Sequence, residues 1–244
     1  MELNGKCVLV TGGAVRIGRA ICEALAARGC TVVVHYRTSE HEAFALVDSF
    51  RVSGVEAFAV QAALGDAASC TALMDACVAL VGGVDFLVNN ASVFHRDSLL
   101  ETTEAKLLLE LQVNAFVPLF LTQALARVVS SGKIVNLLDR RVEGLECGAL
   151  PYMLSKKMLA DFTQLAALEL APEFTVNAVA PGPVLPPPGE GPARTRDLAG
   201  ATPLGVGLTP DAVAQAVVYL LEADAVTGQT LFVDGGQRLG KTEG

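Results

Sequence analysis

The chain has no tryptophan, three tyrosines and three histidines, and aromatic residues make up only 5% of its 244 positions. The histidines, at 35, 41 and 95, show no metal-ligand spacing, so no metal site is expected. Six cysteines (7, 22, 30, 70, 77 and 147) include no C-x-x-C pair. They read as small core residues in a reducing compartment rather than as bridges or ligands. Basic charge is also scarce. Against 26 Asp and Glu stand 18 Lys and Arg, a net charge of −8, which argues against a nucleic-acid partner. The longest apolar stretch, Leu111 to Val129, contains Gln112, Asn114, Gln123 and Arg127, so it is expected to be a buried helix and not a membrane span. Met1 to Lys6 runs straight into an apolar strand without a signal-peptide pattern, and a cytoplasmic location is expected.

What is abundant is apolar content, at 52%, and glycine, at 23 residues. Short apolar runs alternate with helical patterns. Strands are expected at Cys7–Thr11, Thr31–Val34, Ala57–Val60, Phe86–Val88, Lys133–Leu138, Thr175–Val179 and Thr230–Val233. Helices are expected between them: one from about Ile17 to Gly29, then Glu40–Ser53, Ala67–Val81, Thr103–Val129 with a kink near Pro118, Tyr152–Leu170 and Asp211–Glu222. Regular β-then-α alternation predicts one α/β domain over 1–244: a Rossmann-type, doubly wound parallel sheet of about seven strands with helices on both faces. No solenoid repeat is visible, and the one low-complexity stretch is Pro181 to Pro192.

Chemistry is concentrated at the first glycine-rich loop and at three further places. Thr11-Gly12-Gly13-Ala14-Val15-Arg16-Ile17-Gly18 joins the first strand to the first helix. Glycines there let backbone N–H groups approach a pyrophosphate. Arg16 in the first helical turn opposes the helix dipole, which makes sense if an anion binds within reach; otherwise it is a solvated arginine. The second strand ends in His35-Tyr36-Arg37-Thr38-Ser39. Arg37 and two hydroxyls replace the acidic residue that usually holds the ribose of NAD, so NADP(H) is expected unless Arg37 merely faces solvent. Asn89-Asn90-Ala91-Ser92 follows the fourth strand at the sheet edge where ligands bind in such folds. Third, Tyr152 and Lys156 share one face of a helix, and the ammonium favours phenolate, so the tyrosine is expected to exchange a proton closer to neutral pH. Asp139 stands thirteen residues before Tyr152. A carboxylate beside that tyrosine suits a substrate protonated at nitrogen or rich in N–H groups. The bland alternative is a strand-end aspartate paired with Arg140, Arg141 or the next loop.

Together these pieces resemble the short-chain dehydrogenase/reductase family from about Lys6 to Leu239. The matching elements are Gly12 and Gly18, Asn89-Asn90-Ala91, Asn114, Tyr152 with Lys156, Pro181-Gly182, and Val233-Asp234-Gly235-Gly236. Three departures from the family pattern (Arg16 for the middle glycine, Asp139 for the catalytic serine, Ser92 for the glycine after Asn-Asn-Ala) look like its pteridine reductase branch, dihydromonapterin reductases included. Ala63 stands where that branch often has an aspartate against the adenine, and Leu185 to Gly200 matches no pattern of the branch.

The resemblance implies NADPH/NADP+ held by Gly12, Arg16, Ile17, Gly18, His35, Tyr36, Arg37, Ser39, Leu64, Asn90, Ala91, Ser92, Tyr152, Lys156, Pro181 and Gly182. It implies a pterin bound by Arg16, Ser92, Phe94, Asp139 and Tyr152, with Phe94 stacked on its ring. Asp139, Tyr152, Lys156 and Asn114 would form the catalytic group. Asn114 would hold a water chain, although a buried structural amide is the alternative. It further implies a substrate lid over 183–208, a short tail at 240–244, and a homotetramer paired through the central helices, where Leu107, Leu111 and Phe120 serve the interface or the core. Two rival functions stay open. One is a carbonyl or 3-oxoacyl reductase in which Asp139 is a drifted serine. The other is a non-catalytic NADP-binding regulator.

Overall fold

The short apolar runs fold as strands; those in the middle of the sheet are buried on both faces, and the two edge strands only in part. In a computed structural model, which describes residues 2–185 and 202–240, the elements follow the expected alternation. They are β1 (Cys7–Val10), α1 (Arg16–Ala26), β2 (Thr31–Tyr36), α2 (Glu40–Val52), β3 (Ala57–Gln61), α3 (Ala67–Val81) and β4 (Phe86–Asn89). There follow α4 (Glu104–Leu111), α5 (Val117–Val128), β5 (Gly132–Leu137), α6 (Leu150–Glu169), β6 (Phe174–Pro181), α7 (Pro210–Glu222) and β7 (Thr230–Val233). All seven strands pair in parallel in the order β3-β2-β1-β4-β5-β6-β7. The expected Rossmann-type sheet is therefore present.

Alternation along each strand divides the core in two. Val8, Val10, Val32, Val34, Val88 and Leu137 face α1, α2 and α7. Leu9, Val33, Leu87, Ile134 and Val176 face α3, α5 and α6. Local signals set the helix ends. Asp66 and Ser69 form a reciprocal capping box on α3, which stops at Gly82 with φ 78°. Thr209 caps α7 ahead of Pro210.

The long helix departs from expectation in where it breaks. The expected kink near Pro118 is a π-helical turn, Gln112–Phe116, lying just before the proline, and Val117 N–H bonds back to Gln112 O. Pro118 has no N–H to give the Asn114 carbonyl four residues earlier, and its ring crowds that carbonyl, so the turn widens there. By length and composition the helical stretch Glu104–Val128 could span a bilayer; here its α5 part packs Leu121 and Leu125, fully buried, against α3 and the sheet.

A second correction concerns cysteine: five are buried as expected, but Cys147 is exposed, because it sits in the loop before α6 and not in an element. The segment 186–201, most of the expected lid, lies outside the described residues, as does the tail beyond Gly240.

Candidate active site

The strand order reverses between β1 and β4, and the crevice at their C-terminal ends is where such sheets take ligands. A groove of about 400 Å³ opens there. It is lined by Gly12, Arg16, Ile17, Gly18, His35, Tyr36, Arg37, Ser39, Leu64, Asn90, Ala91 and Ser92, all expected from the sequence, and by Val93, Val113 and Val117 from the loop and the long helix. Pro181 and Gly182 lie outside it, at the end of β6, where Gly182 N–H bonds to Val233 O at 2.9 Å.

The glycines are required by space. A Cβ on Gly18 would stand 2.1 Å from Gly12 O and 2.6 Å from Asn90 Nδ2, so α1 can approach the loop only through a bare Cα. Arg16 holds a left-handed backbone, φ 55°, where glycine is usual, at a cost of about 1–2 kcal/mol. The α1 N-terminus has no side-chain cap and no acidic residue in its first turn, which leaves its N–H groups and dipole suited to an anion. These features fit a dinucleotide pyrophosphate.

Several expected cofactor residues act on the loop itself. Asn90 Nδ2 donates to Thr11 O at 2.9 Å and Gly12 O at 3.0 Å. Thr11, which sequence reasoning did not single out as a site residue, accepts from the Asn90 and Ala91 N–H groups through its hydroxyl at 2.9 and 3.0 Å. His35 is buried beneath the loop: its Nδ1 accepts from Gly12 N–H at 3.1 Å, and Nε2 lies 3.1 Å from Ala62 O. Those partners require a neutral, Nε2-protonated ring.

Burial lowers the His35 pKa to about 4, the Ala62 bond opposing. Below the ordinary value of 6.5 the unfolded chain binds a proton that the folded chain refuses, so stability is lost as pH falls from 6.5 toward about 4. That interval is worth about 3 kcal/mol. Urea unfolding at pH 7 and pH 4.5 should show a steeper acid loss for the wild type than for His35→Gln; equal losses would remove His35 from the linkage.

The second half of the site lies between β5 and α6. Asp139 follows β5 and caps a short 3₁₀ turn, Arg140–Glu143. Tyr152 and Lys156 lie one turn apart on α6. The Tyr152 hydroxyl donates to Asp139 Oδ2 at 3.3 Å, and Lys156 Nζ donates to Leu137 O at 2.8 Å, 5.8 Å from the Tyr152 ring centroid. Phe94 is 44% exposed and meets the Tyr152 ring edge-on, centroids 4.8 Å apart, so it is not a core phenylalanine.

Asp139 has two kinds of partner. It reaches Tyr152, and it is also held by Arg141, whose Nε donates to Oδ1 and Nη2 to Oδ2, each at 2.8 Å. Burial alone would raise the Asp139 pKa, but the hydrogen bonds and charge of Arg141, with the charge of Lys156, hold it below the usual carboxylate value.

The expectation that Lys156 brings the tyrosine toward neutral pH is corrected. Burial first, and then the Asp139 charge, push the Tyr152 hydroxyl well above its ordinary value, so it stays protonated. The cost of desolvation appears on the lysine as well, whose pKa falls to about 8 despite the nearby charges of Asp139 and Glu110.

Asn114, in the π turn, is a buried tie. Its Oδ1 accepts from the Ser92 hydroxyl and Val93 N–H, both at 2.9 Å. Its Nδ2 lies 2.9 Å from Val93 O, 2.6 Å from Glu110 Oε2 and 3.0 Å from Ser155 Oγ. Glu110 is fully buried and also accepts from His95 N–H at 2.8 Å, its Oε1 lying 2.8 Å from His95 Nδ1. Glu110 and Ser155 were given no role from the sequence, Arg141 entered only as an alternative partner of Asp139, and His95 was weighed only as a metal ligand. An acidic residue that follows the apolar run Leu107-Leu108-Leu109, one turn before Asn114, was a signal available for Glu110.

Residues 13–238 match the family described as enoyl-(acyl carrier protein) reductase. An uncharacterised oxidoreductase of Methylorubrum extorquens is 35% identical, covering 97% of this chain and 99% of its own. Pteridine reductase 1 of Leishmania tarentolae is 32% identical, covering 95% of this chain and 96% of its own. The crystal structure of FolM alternative dihydrofolate reductase 1 from Brucella canis, complexed with NADP, superimposes with a TM-score of 0.93 at 34% identity, covering 98% of this chain and 96% of that one. The chain belongs to the short-chain dehydrogenase/reductase family of oxidoreductases.

Proposed function

We propose that this protein is an NADPH-dependent reductase of a dihydropteridine, converting a dihydrobiopterin-, dihydromonapterin- or dihydrofolate-like substrate to the tetrahydro form. One observation carries the reading: an ionised carboxylate, Asp139, lies 3.3 Å from the Tyr152 hydroxyl. A carbonyl reductase needs a neutral donor there for the developing oxyanion, which a carboxylate would repel. The same carboxylate accepts hydrogen bonds from a ring bearing N–H groups. The likeness to pteridine reductase 1 and to FolM supports this reading.

The uncapped α1 N-terminus and Gly12, Arg16, Ile17 and Gly18 would hold the pyrophosphate. Arg37 and Ser39, lining the far end of the groove, would take the 2′-phosphate; the NADP in the FolM complex supports that choice. Leu64 would pack on the adenine, while Ala63 offers it no polar group. Lys156 would hold the nicotinamide ribose. NADPH supplies, when bound, a hydride to the ring carbon of the C=N bond.

Every other step belongs to the chain. Tyr152, kept protonated, gives its proton to the adjacent ring nitrogen, and Lys156 stabilises the phenolate left behind. Asp139 holds the substrate N–H groups and, once the Tyr152 proton has left, relays a proton taken from water back to the phenolate. Phe94 covers one ring face, worth about 0.5–1.5 kcal/mol beyond burial. Asn114 fixes the Ser92–Val93 wall through the bonds described above.

The exposed Leu108 and Leu109 on α4 and Leu154, Met158, Leu165 and Leu168 on α6 support assembly through the central helices into a homotetramer. Phe120 packs on the core instead. The composition and the family support a cytoplasmic site of action.

The test is NADPH oxidation with dihydrobiopterin, dihydromonapterin and dihydrofolate beside ketones and 3-oxoacyl thioesters. Turnover confined to the pterins is expected. Turnover confined to the carbonyls would replace the assignment with the carbonyl reductase, and binding of NADPH with no turnover at all would favour the regulator.

A further inference from the structure

Asp139 has no hydrogen-bonding capacity left for a substrate. Its Oδ1 accepts from Arg141 Nε at 2.8 Å and from Arg141 backbone N–H at 2.9 Å. Its Oδ2 accepts from Arg141 Nη2 at 2.8 Å and from the Tyr152 hydroxyl at 3.3 Å. A carboxylate has about four lone-pair sites, and all are taken. The guanidinium also lies beside the two rings that the pterin reading gives to the substrate: its Cζ is 5.6 Å from the Phe94 ring centroid and 5.3 Å from that of Tyr152. Arg141 thus presents to Asp139 and Phe94 a planar group with parallel N–H donors, the properties of a nitrogen heterocycle.

The geometry points to Arg141 as a substrate gate, a side chain that fills the ring site and yields only to a ligand bringing its own N–H donors to Asp139. This rests on the pterin reading of the site. A second acceptor stands ready for the displaced guanidinium. Arg141 Nη1 is already 3.9 Å from Glu146 Oε2, on a half-exposed side chain in the loop before α6 that also holds Arg140 at 2.6 Å. The gate selects by what it leaves behind. When Arg141 moves away, the buried Asp139 charge must be paired again, and a heterocyclic N–H edge does so. A plain ketone has no donor to offer and leaves the carboxylate stranded, so Arg141 returns.

The experiment measures the dissociation constant of 2,4-diaminopyrimidine for the NADP+-loaded protein by calorimetry, in wild type, Arg141→Met, and Arg141→Met combined with Asp139→Asn. Methionine keeps the packing against Phe94 and Tyr152 and removes the donors. The dissociation constant is expected to fall about tenfold to a hundredfold in Arg141→Met, as one or two charge-assisted bonds become available, and the gain is expected to vanish in the double variant. Guanidinium chloride, far below unfolding concentrations and against a sodium chloride control, should compete with the probe in Arg141→Met alone, because it refills the site. An unchanged or raised dissociation constant in a folded Arg141→Met overturns the gate, a raised one making Arg141 part of the binding surface. If that variant does not fold, Glu146→Gln replaces it: without the second acceptor the dissociation constant should rise, and no change overturns the gate. Wild-type protein inactive on every dihydropterin, but with the tightening observed, would sink the functional proposal and leave the gate standing.

Discussion

Tyr152→Phe is expected to lower the turnover of dihydropterin by a factor on the order of 10²–10⁴, the usual contribution of a positioned general acid. The hydroxyl is the protonated group next to Asp139, and burial with the Asp139 charge keeps it protonated through the neutral range. Phenylalanine preserves the edge-on contact with Phe94 and removes only the proton. NADPH affinity should change less, since the proposed cofactor contacts lie mostly in the glycine loop and at Arg37 and Ser39. Steady-state kinetics with fluorescence titration of NADPH separates the two effects. A variant retaining turnover within about twofold would place proton delivery elsewhere.

Asp139→Ser carries the second large effect. Loss of the carboxylate should lower kcat/KM for dihydropterins about tenfold to a hundredfold, the value of one or two hydrogen bonds to a charged group, and should raise carbonyl reduction. The substitution also removes a charge that pushes the Tyr152 pKa upward. The phenol then ionises more easily, so the basic limb of the pH–rate profile should move to lower pH. Its stability cost comes from Arg141, 18% exposed at the side chain, which loses its bidentate partner and keeps only the more distant Glu146 carboxylate. Unaltered pterin kinetics in a stable Asp139→Ser protein would remove the carboxylate from the mechanism.

Much of the fold was legible because the sheet is buried on both faces. Runs such as CVLV at Cys7–Val10 and TVVVHY at Thr31–Tyr36 have a single reading once glycines and helical periodicity bound them. The glycine loop and the Tyr152–Lys156 pair were legible because their spacing alone fixes their geometry. The π turn was not. The sequence shows that Pro118 must disturb the helix, but where the strain is absorbed depends on the packing around Asn114.

The charge state of Tyr152 was misread for a related reason. Sequence spacing shows the lysine one turn away; it does not show that burial and the Asp139 charge raise the hydroxyl, with Arg141 as the cation that opposes them. Arg141 was legible only as one of several partners for Asp139, and Glu110 was not singled out, because sequence does not show which charged residue turns inward. Tertiary contacts alone bring them to Asp139 and Asn114.

The most direct measurement follows the isotope. NADPH deuterated on its reactive nicotinamide carbon is incubated with the protein and dihydrobiopterin, and the product is read by mass spectrometry and NMR. The expected result is one deuterium on the ring carbon of the former C=N bond, a solvent-derived proton on the neighbouring nitrogen, and far less of that product from Tyr152→Phe in the same time. A pterin recovered without deuterium, while a ketone in the same mixture gains the label at its carbinol carbon, would contradict the assignment.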